Sequence, residues 1–531
     1  MSDPGASPTG AGETLSTEDA GAPGRPRPRL ARRDGGSLSS RTLWLMVAKT
    51  VGFACAFALP LLLVRRLSQH EFGLYKQIFL IVGTAALMLP LGFGTSSAFY
   101  FLPRERERQG AVVLNVLIFN VGVGLLGLVA LLAWPGLLAL IFGDVELIPF
   151  APMIGVLILL LIVSAAPEFL AIANQETTIA TGFILLSQLS RVGLLLGAAL
   201  LVGTVRSLVW ASIAHASMLT VTLLLYQHSR WRGFWRRVDW SMMREQLAYA
   251  LPLGGAVLLA GVQLDLHNYV VSHRFGPAAY AVYAVGCFEF PLIMILSESA
   301  TTVLIPHVGA LQKAGQRREI LAVTARATRK LALVFFPMYA LLLVTGADLI
   351  TFLFTPQYRA SWPVFAINLA LLPLSAVPYD PIVRAYANQR FFMLCLRVIT
   401  FSLSAVALWF ATARFGLVGA ISVVVATAVV ERLVIFVRLG RLLRVTRNDV
   451  VLLADTGKVA LAAAAAGIIT ALVHPLLAET RPIVVLVVCG VVFTALYAAA
   501  IAALRILTPD ERAMIGRPLA TLYRRAAPGP V

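Results

Sequence analysis

Leu251–Pro306, LPLGGAVLLAGVQLDLHNYVVSHRFGPAAYAVYAVGCFEFPLIMILSESATTVLIP, is the stretch on which the fold turns. It contains two apolar runs, near 247–272 and 279–305, each longer than the roughly 20 residues a helix needs to cross a bilayer. Only His273, Arg274, Phe275, Gly276, Pro277 and Ala278 separate them. Asp265, His267 and Asn268 lie inside the first run, and Glu289 and Glu298 inside the second. An ionised side chain at mid-bilayer depth costs about 2.5–3.5 kcal/mol even on the lenient insertion scale, so these acids should face protein or water rather than lipid. Two long helices with acids on inward faces suggest a hydrated path.

The rest of the chain has the same character. Of its 531 residues 59% are hydrophobic and 13% charged, and the mean hydropathy of +0.83 lies outside the range of soluble domains. An all-α polytopic membrane protein is predicted. The net charge of +18 falls between apolar runs, where cytoplasmic loops meet anionic lipid. No basic stripe with interleaved aromatics is present, so nucleic acid is not an expected partner. Cys55, Cys287, Cys395 and Cys489 each stand alone in an apolar run, and His267 and His273, six apart, fall on different helix faces. Neither pattern calls for a metal or other cofactor.

Residues 1–40, rich in Gly, Pro, Ser and Arg, read as a flexible cytoplasmic tail. The run 43–64 is too long for a signal-peptide core and reads as a first span. About 14 spans follow from length and apolarity, near 42–64, 74–100, 110–133, 148–170, 179–202, 207–227, 247–272, 279–305, 331–354, 361–385, 391–413, 416–438, 457–476 and 482–505. Short connections force neighbours antiparallel, and the arginine-rich loops around 104–108, 230–237, 313–330 and 438–447 fall on one side. The positive-inside bias then places both termini in the cytoplasm. Phe72-Gly73-Leu74-Tyr75 after span one and Tyr280-Ala281-Val282-Tyr283 after span seven hint at an internal repeat. The expected organisation is therefore two pseudo-symmetric six-helix lobes around a central cavity, 41–227 and 247–440. An amphipathic linker at 228–246 joins them, with Trp231, Phe234, Trp235 and Trp240 among arginines forming an interfacial helix. Two further helices occupy 441–506, and 507–531 is a second cytoplasmic tail.

This arrangement resembles the polysaccharide transport family of the multidrug/oligosaccharidyl-lipid/polysaccharide exporter superfamily. The likeness is carried by Arg66-Leu67-Ser68 with Glu71-Phe72-Gly73-Leu74-Tyr75, Leu91-Gly92-Phe93-Gly94, Leu251-Pro252-Leu253 with Asp265, and Tyr280-Ala281-Val282-Tyr283. Pro306 closing span eight and Phe415-Gly416-Leu417-Val418-Gly419-Ala420 opening span twelve also fit, so that 41–445 is covered. The resemblance implies a flippase of a bacterial plasma (inner) membrane. It would move a polyprenyl-diphosphate-linked oligosaccharide from the inner to the outer leaflet by alternating access, among membrane lipids and beside polysaccharide polymerase or glycosyltransferase machinery.

The intramembrane charges then acquire candidate roles. Arg191, mid-span in span five, would bind the diphosphate, whose oxygens a guanidinium can meet two at a time, or would pair with Glu289 or Asp265. Lys49, Arg384, Arg397 and Arg432 lie near predicted cytoplasmic ends and snorkel, or else the first three are further candidates for the same group. Asp265, Asn268, Tyr269 and Ser272 share one helix face and would line the sugar path or bind span seven to a neighbour. Glu289, nearer mid-membrane than Glu298, is the acid expected at the cavity. A cation-coupled multidrug antiporter of the same superfamily is the alternative and would favour an acid-dominated cavity. An enzyme, such as a membrane glycosyltransferase or ligase, is disfavoured by the lack of a sizeable external loop, and no GxxxxGK[ST] element for nucleotide hydrolysis is present.

Overall fold

The computed structural model describes residues 57–506 except 237 and 478, together with residues 47, 50, 52 and 54. The described chain is helical. The second span begins where Ser68 Oγ accepts from the Glu71 N–H at 3.2 Å and the Glu71 carboxylate accepts from the Ser68 N–H at 3.0 Å, a reciprocal cap that fixes the helix start. That span runs as α1 (Gln69–Met88) and α2 (Phe93–Phe101). Its break lies at Pro90, Leu91 and Gly92, the last two with positive φ. Span three is α3 (Gln109–Ala133), α4 (Gly136–Phe142) follows outside it, and span four is α5 (Ala151–Ser164) with α6 (Ala166–Ala173). Spans five and six are α7 (Thr177–Leu201) and α8 (Val205–Arg230).

Spans seven and eight run through one long element, α9 (Trp240–Gly286), reversing at Gly276 (φ 74°, ψ 180°). Span eight unwinds over 287–290 and resumes as α10 (Pro291–Lys313). Phe290 takes ψ 124° because Pro291 disfavours a helical residue before it. Span nine is α11 (Arg317–Phe354), and span ten is α12 (Trp362–Asn368), α13 (Leu371–Ser375) and α14 (Asp380–Ala385). Spans eleven and twelve form α15 (Arg390–Leu443), which turns at Gly416 (φ 59°, ψ −139°). The last two spans are α16 (Ala454–Val473) and α17 (Pro482–Ala503), and both pack on α11.

Each half thus breaks its second and fourth spans, as a repeated unit would. Among the described residues 10 helices are long and apolar enough to cross a membrane, or 11 counting the bent tenth span as one. That number is consistent with the fourteen expected: one of these helices contains the reversal at Gly416, span seven lies within α9, and most of span one lies outside the described residues.

The sequence expectation differs in two places. Pro306 lies inside α10 and does not close it, since the flanking helix absorbs the lost hydrogen bond and continues to Lys313. Of the linker 228–246, expected to form an interfacial helix, the start belongs to α8, Phe234–Arg236 form a short turn with Phe234 buried, and α9 takes the remainder from Trp240 under an Asp239 cap.

The halves meet along α1 and α9, where glycines let backbones touch: a Cβ at Gly254 would overlap the Leu91 carbonyl. At the end carrying residues 65–72, Arg65 donates to the Phe352 carbonyl at 2.8 Å, and the Phe72 and Tyr358 rings meet edge to face. At the opposite end Arg108 pairs with Asp239, and Asn115 Nδ2 donates to Gln246 Oε1 at 3.0 Å. Arg274, beside the Gly276 reversal, donates to the Trp409 carbonyl at 2.8 Å and to Thr412 Oγ1 at 3.0 Å, which ties the two one-glycine hairpins together.

Candidate functional site

A cavity of about 540 Å³ opens among spans seven, eight, ten, eleven and twelve. Its wall carries Asp265, Glu289, Arg397 and Glu431, with Gln263, His267 and Asn268 between them. A smaller cavity of about 260 Å³ shares Glu289 and Asn368 with it, and another of about 170 Å³ shares Tyr379 and reaches Asp380 and Arg432. Charged side chains from five spans therefore converge on space inside an otherwise apolar bundle.

The wall is built locally. Asp265 accepts from Asn268 Nδ2 one turn on and from Thr84 Oγ1 of α1, both at 3.4 Å, so it links the two halves. Gln263 Nε2 donates to Thr400 Oγ1 at 3.3 Å, while its Oε1 is enclosed without a donor. His267 Nδ1 meets the Tyr283 hydroxyl at 2.8 Å, which fixes the ring orientation. Ser404 and Thr427 join spans eleven and twelve through their hydroxyls at 3.0 Å. Glu289 sits in the unwound segment 287–290 and lines both the large cavity and the one of about 260 Å³. Arg432 donates to the Leu374 carbonyl and lies 5.6 Å from the Tyr379 ring centroid.

Of the residues singled out from sequence, Asp265, Asn268, Glu289 and Arg397 meet on this cavity. Tyr269 instead packs its ring 5.3 Å from Phe142, and Ser272 is buried, so the stripe of four splits between cavity and helix contact. Arg384 is exposed and pairs with Asp380 at 2.6 Å. Lys49 lies outside the described residues. Arg191 forms no ion pair with Glu289 or Asp265; it is exposed, and its field falls on Lys76 of α1 and His215 of α8. His215 Nδ1 is held by Ser190 Oγ at 2.9 Å, and the Lys76 ammonium lies 5.6 Å from the Phe72 ring centroid. Arg191 thus belongs to the first half, apart from the acids of the cavity.

Lys76, His215, Gln263 and Glu431 escaped the sequence reading as site residues. For Lys76, a lysine seven residues into an apolar helix is a visible signal; for the others, only the packing of separate spans discloses it.

The family model described as "Polysaccharide biosynthesis protein" matches residues 62–363. Among solved structures, that of the lipid II flippase MurJ in an inward closed conformation is similar, with a TM-score of 0.66 at 13% identity, covering 87% of this chain and 98% of that one. An outward-facing multidrug resistance MATE family transporter of the MOP superfamily gives 0.52 at 15% identity over 79% and 97% of the two chains. An inward-facing one gives 0.53 at 16% over 78% and 98%. At such identities the likeness is one of fold. No curated protein matches the chain.

Proposed function

Because the chain belongs to the polysaccharide biosynthesis protein family, we propose that it is a flippase for a polyprenyl-diphosphate-linked oligosaccharide, carrying the polysaccharide precursor from the inner to the outer leaflet of a bacterial plasma membrane. The observation that carries this reading is the charged cavity of about 540 Å³ enclosed by apolar helices. Passage of a diphosphate and several sugars through hydrocarbon has a prohibitive desolvation cost, and a polar chamber removes it while the prenyl chain stays in lipid. Arg191 serves as the anchor for the diphosphate, and Arg397 as a second cation on the other half. Asp265, Asn268 and Glu289 meet the sugar hydroxyls. Both termini face the cytoplasm, and the two lobes, 41–227 and 247–440, alternate access by moving against each other, with the cavity in the second lobe and 441–506 as an added pair.

One observation favours a second reading: three carboxylates against one arginine on the cavity wall would also suit a cation-coupled multidrug antiporter. Reconstitution decides between them. The purified protein in liposomes should speed the appearance of labelled polyprenyl-diphosphate oligosaccharide in the opposite leaflet. Exchange of cationic dyes for protons without movement of the lipid-linked sugar would establish the antiporter instead.

A further inference from the structure

We infer that the carboxylates of this cavity set the charge class of the sugar carried: saccharides that are neutral or bear amines are accepted, and those bearing uronate or other acidic groups are refused. The inference rests on the flippase reading above. At about 540 Å³ the cavity falls within the roughly 300–1,000 Å³ of small-molecule sites, so it can hold a headgroup rather than water alone.

Its charge is unbalanced. Asp265, Glu289 and Glu431 on its wall outnumber Arg397 there, and Arg432 of the adjoining cavity, which keeps its charge while bonded to the Leu374 carbonyl, still leaves one carboxylate in excess. Asp265 accepts from Asn268 and Thr84, so its remaining lone pairs are what it offers to the cavity. Among the described residues Glu289, Glu431 and the Arg397 side chain make no hydrogen bond or ion pair, and Gln263 Oε1 is enclosed without a donor. Charges and acceptors set in a low-dielectric wall without internal partners are satisfied by what occupies the space. Hydroxyls and ammonium groups donate to carboxylates. A second carboxylate cannot, and like charges set face to face repel. The diphosphate escapes this repulsion because Arg191, its anchor, lies on the other half.

The test uses the full-length protein in liposomes and three labelled polyprenyl-diphosphate saccharides with one lipid chain: a neutral hexose, a hexosamine with a free amine, and a uronate. The neutral and amine-bearing cargoes should cross at comparable rates and the uronate at least about tenfold more slowly. In the Glu289→Gln, Glu431→Gln double variant the gap should close to within about threefold. A uronate moved by the natural protein as fast as the neutral sugar overturns the inference and leaves the flippase reading standing. A gap that the double variant leaves intact overturns the assignment to these carboxylates. Failure to move all three cargoes sinks both readings together. The panel with the natural protein decides the central point whether or not the variant folds.

Discussion

Gly73 in the first turn of α1 and Pro277 just past the Gly276 reversal touch backbone to side, and a Cβ at position 73 would overlap the Pro277 carbonyl. This contact joins the halves at the end where Arg65 and Phe72 also meet residues of the partner half. Gly73→Ala must push the helices apart, and overpacking of this kind costs about 1–3 kcal/mol. The melting temperature in detergent should fall for Gly73→Ala and hold for Gly83→Ala, whose Cβ would meet nothing within 4 Å in the same helix. Equal melting temperatures would show that the contact yields without strain.

Arg191 is exposed and forms no ion pair with an acid among the described residues, so its removal leaves no buried carboxylate uncompensated. Arg191→Ala should therefore abolish lipid-linked sugar translocation while membrane abundance stays near that of the natural protein. A fall in abundance would assign Arg191 to folding instead.

Asp265 is the acid that reaches both halves, through Thr84 and Asn268. Asp265→Asn keeps the shape and loses the charge, and translocation in liposomes should drop about tenfold. Transport unchanged at every pH would remove Asp265 from the mechanism.

At the opposite end Asp239 caps α9 by accepting from the Met242 N–H at 3.0 Å and pairs with Arg108. The backbone donor first, and the guanidinium second, hold its carboxyl below the usual 3.8. A depressed carboxylate adds stability that is present above the unfolded value and lost as pH falls through the folded one. The melting temperature should thus decline below about pH 4, where aspartate ordinarily titrates. The difference between the natural protein and Asp239→Asn should shrink over the same range. A constant difference down to pH 3 would exclude this linkage.

Much of this architecture is legible before any coordinates. Apolar length gives the spans, and Ser68 with Glu71 three residues later gives the start of the second. The break at 287–290 was also written in the chain, because Pro291 pushes Phe290 out of the helical region, yet a window of hydropathy runs across it without a dip. The site was legible only in part. Helical spacing links Asp265 to Asn268 within one span, but it says nothing of Arg397 and Glu431, which reach the same cavity from spans eleven and twelve. Tyr269 shares the predicted face and still turns to Phe142, since the face of a straight helix is divided by whatever neighbours pack on it. Arg191 reads as a lone charge in sequence and gains Lys76 and His215 only when α1 and α8 fold beside it.

The single-glycine reversals at Gly276 and Gly416 carry a practical corollary. At these two hairpins the polypeptide offers no tongue of chain for a protease to clip or an antibody to seize, and an epitope inserted at either would have to prise two crossings apart. Topology reporters are better grafted at the ends of the chain or in the longer connections, and a binder raised against these tips would have to grip helix ends.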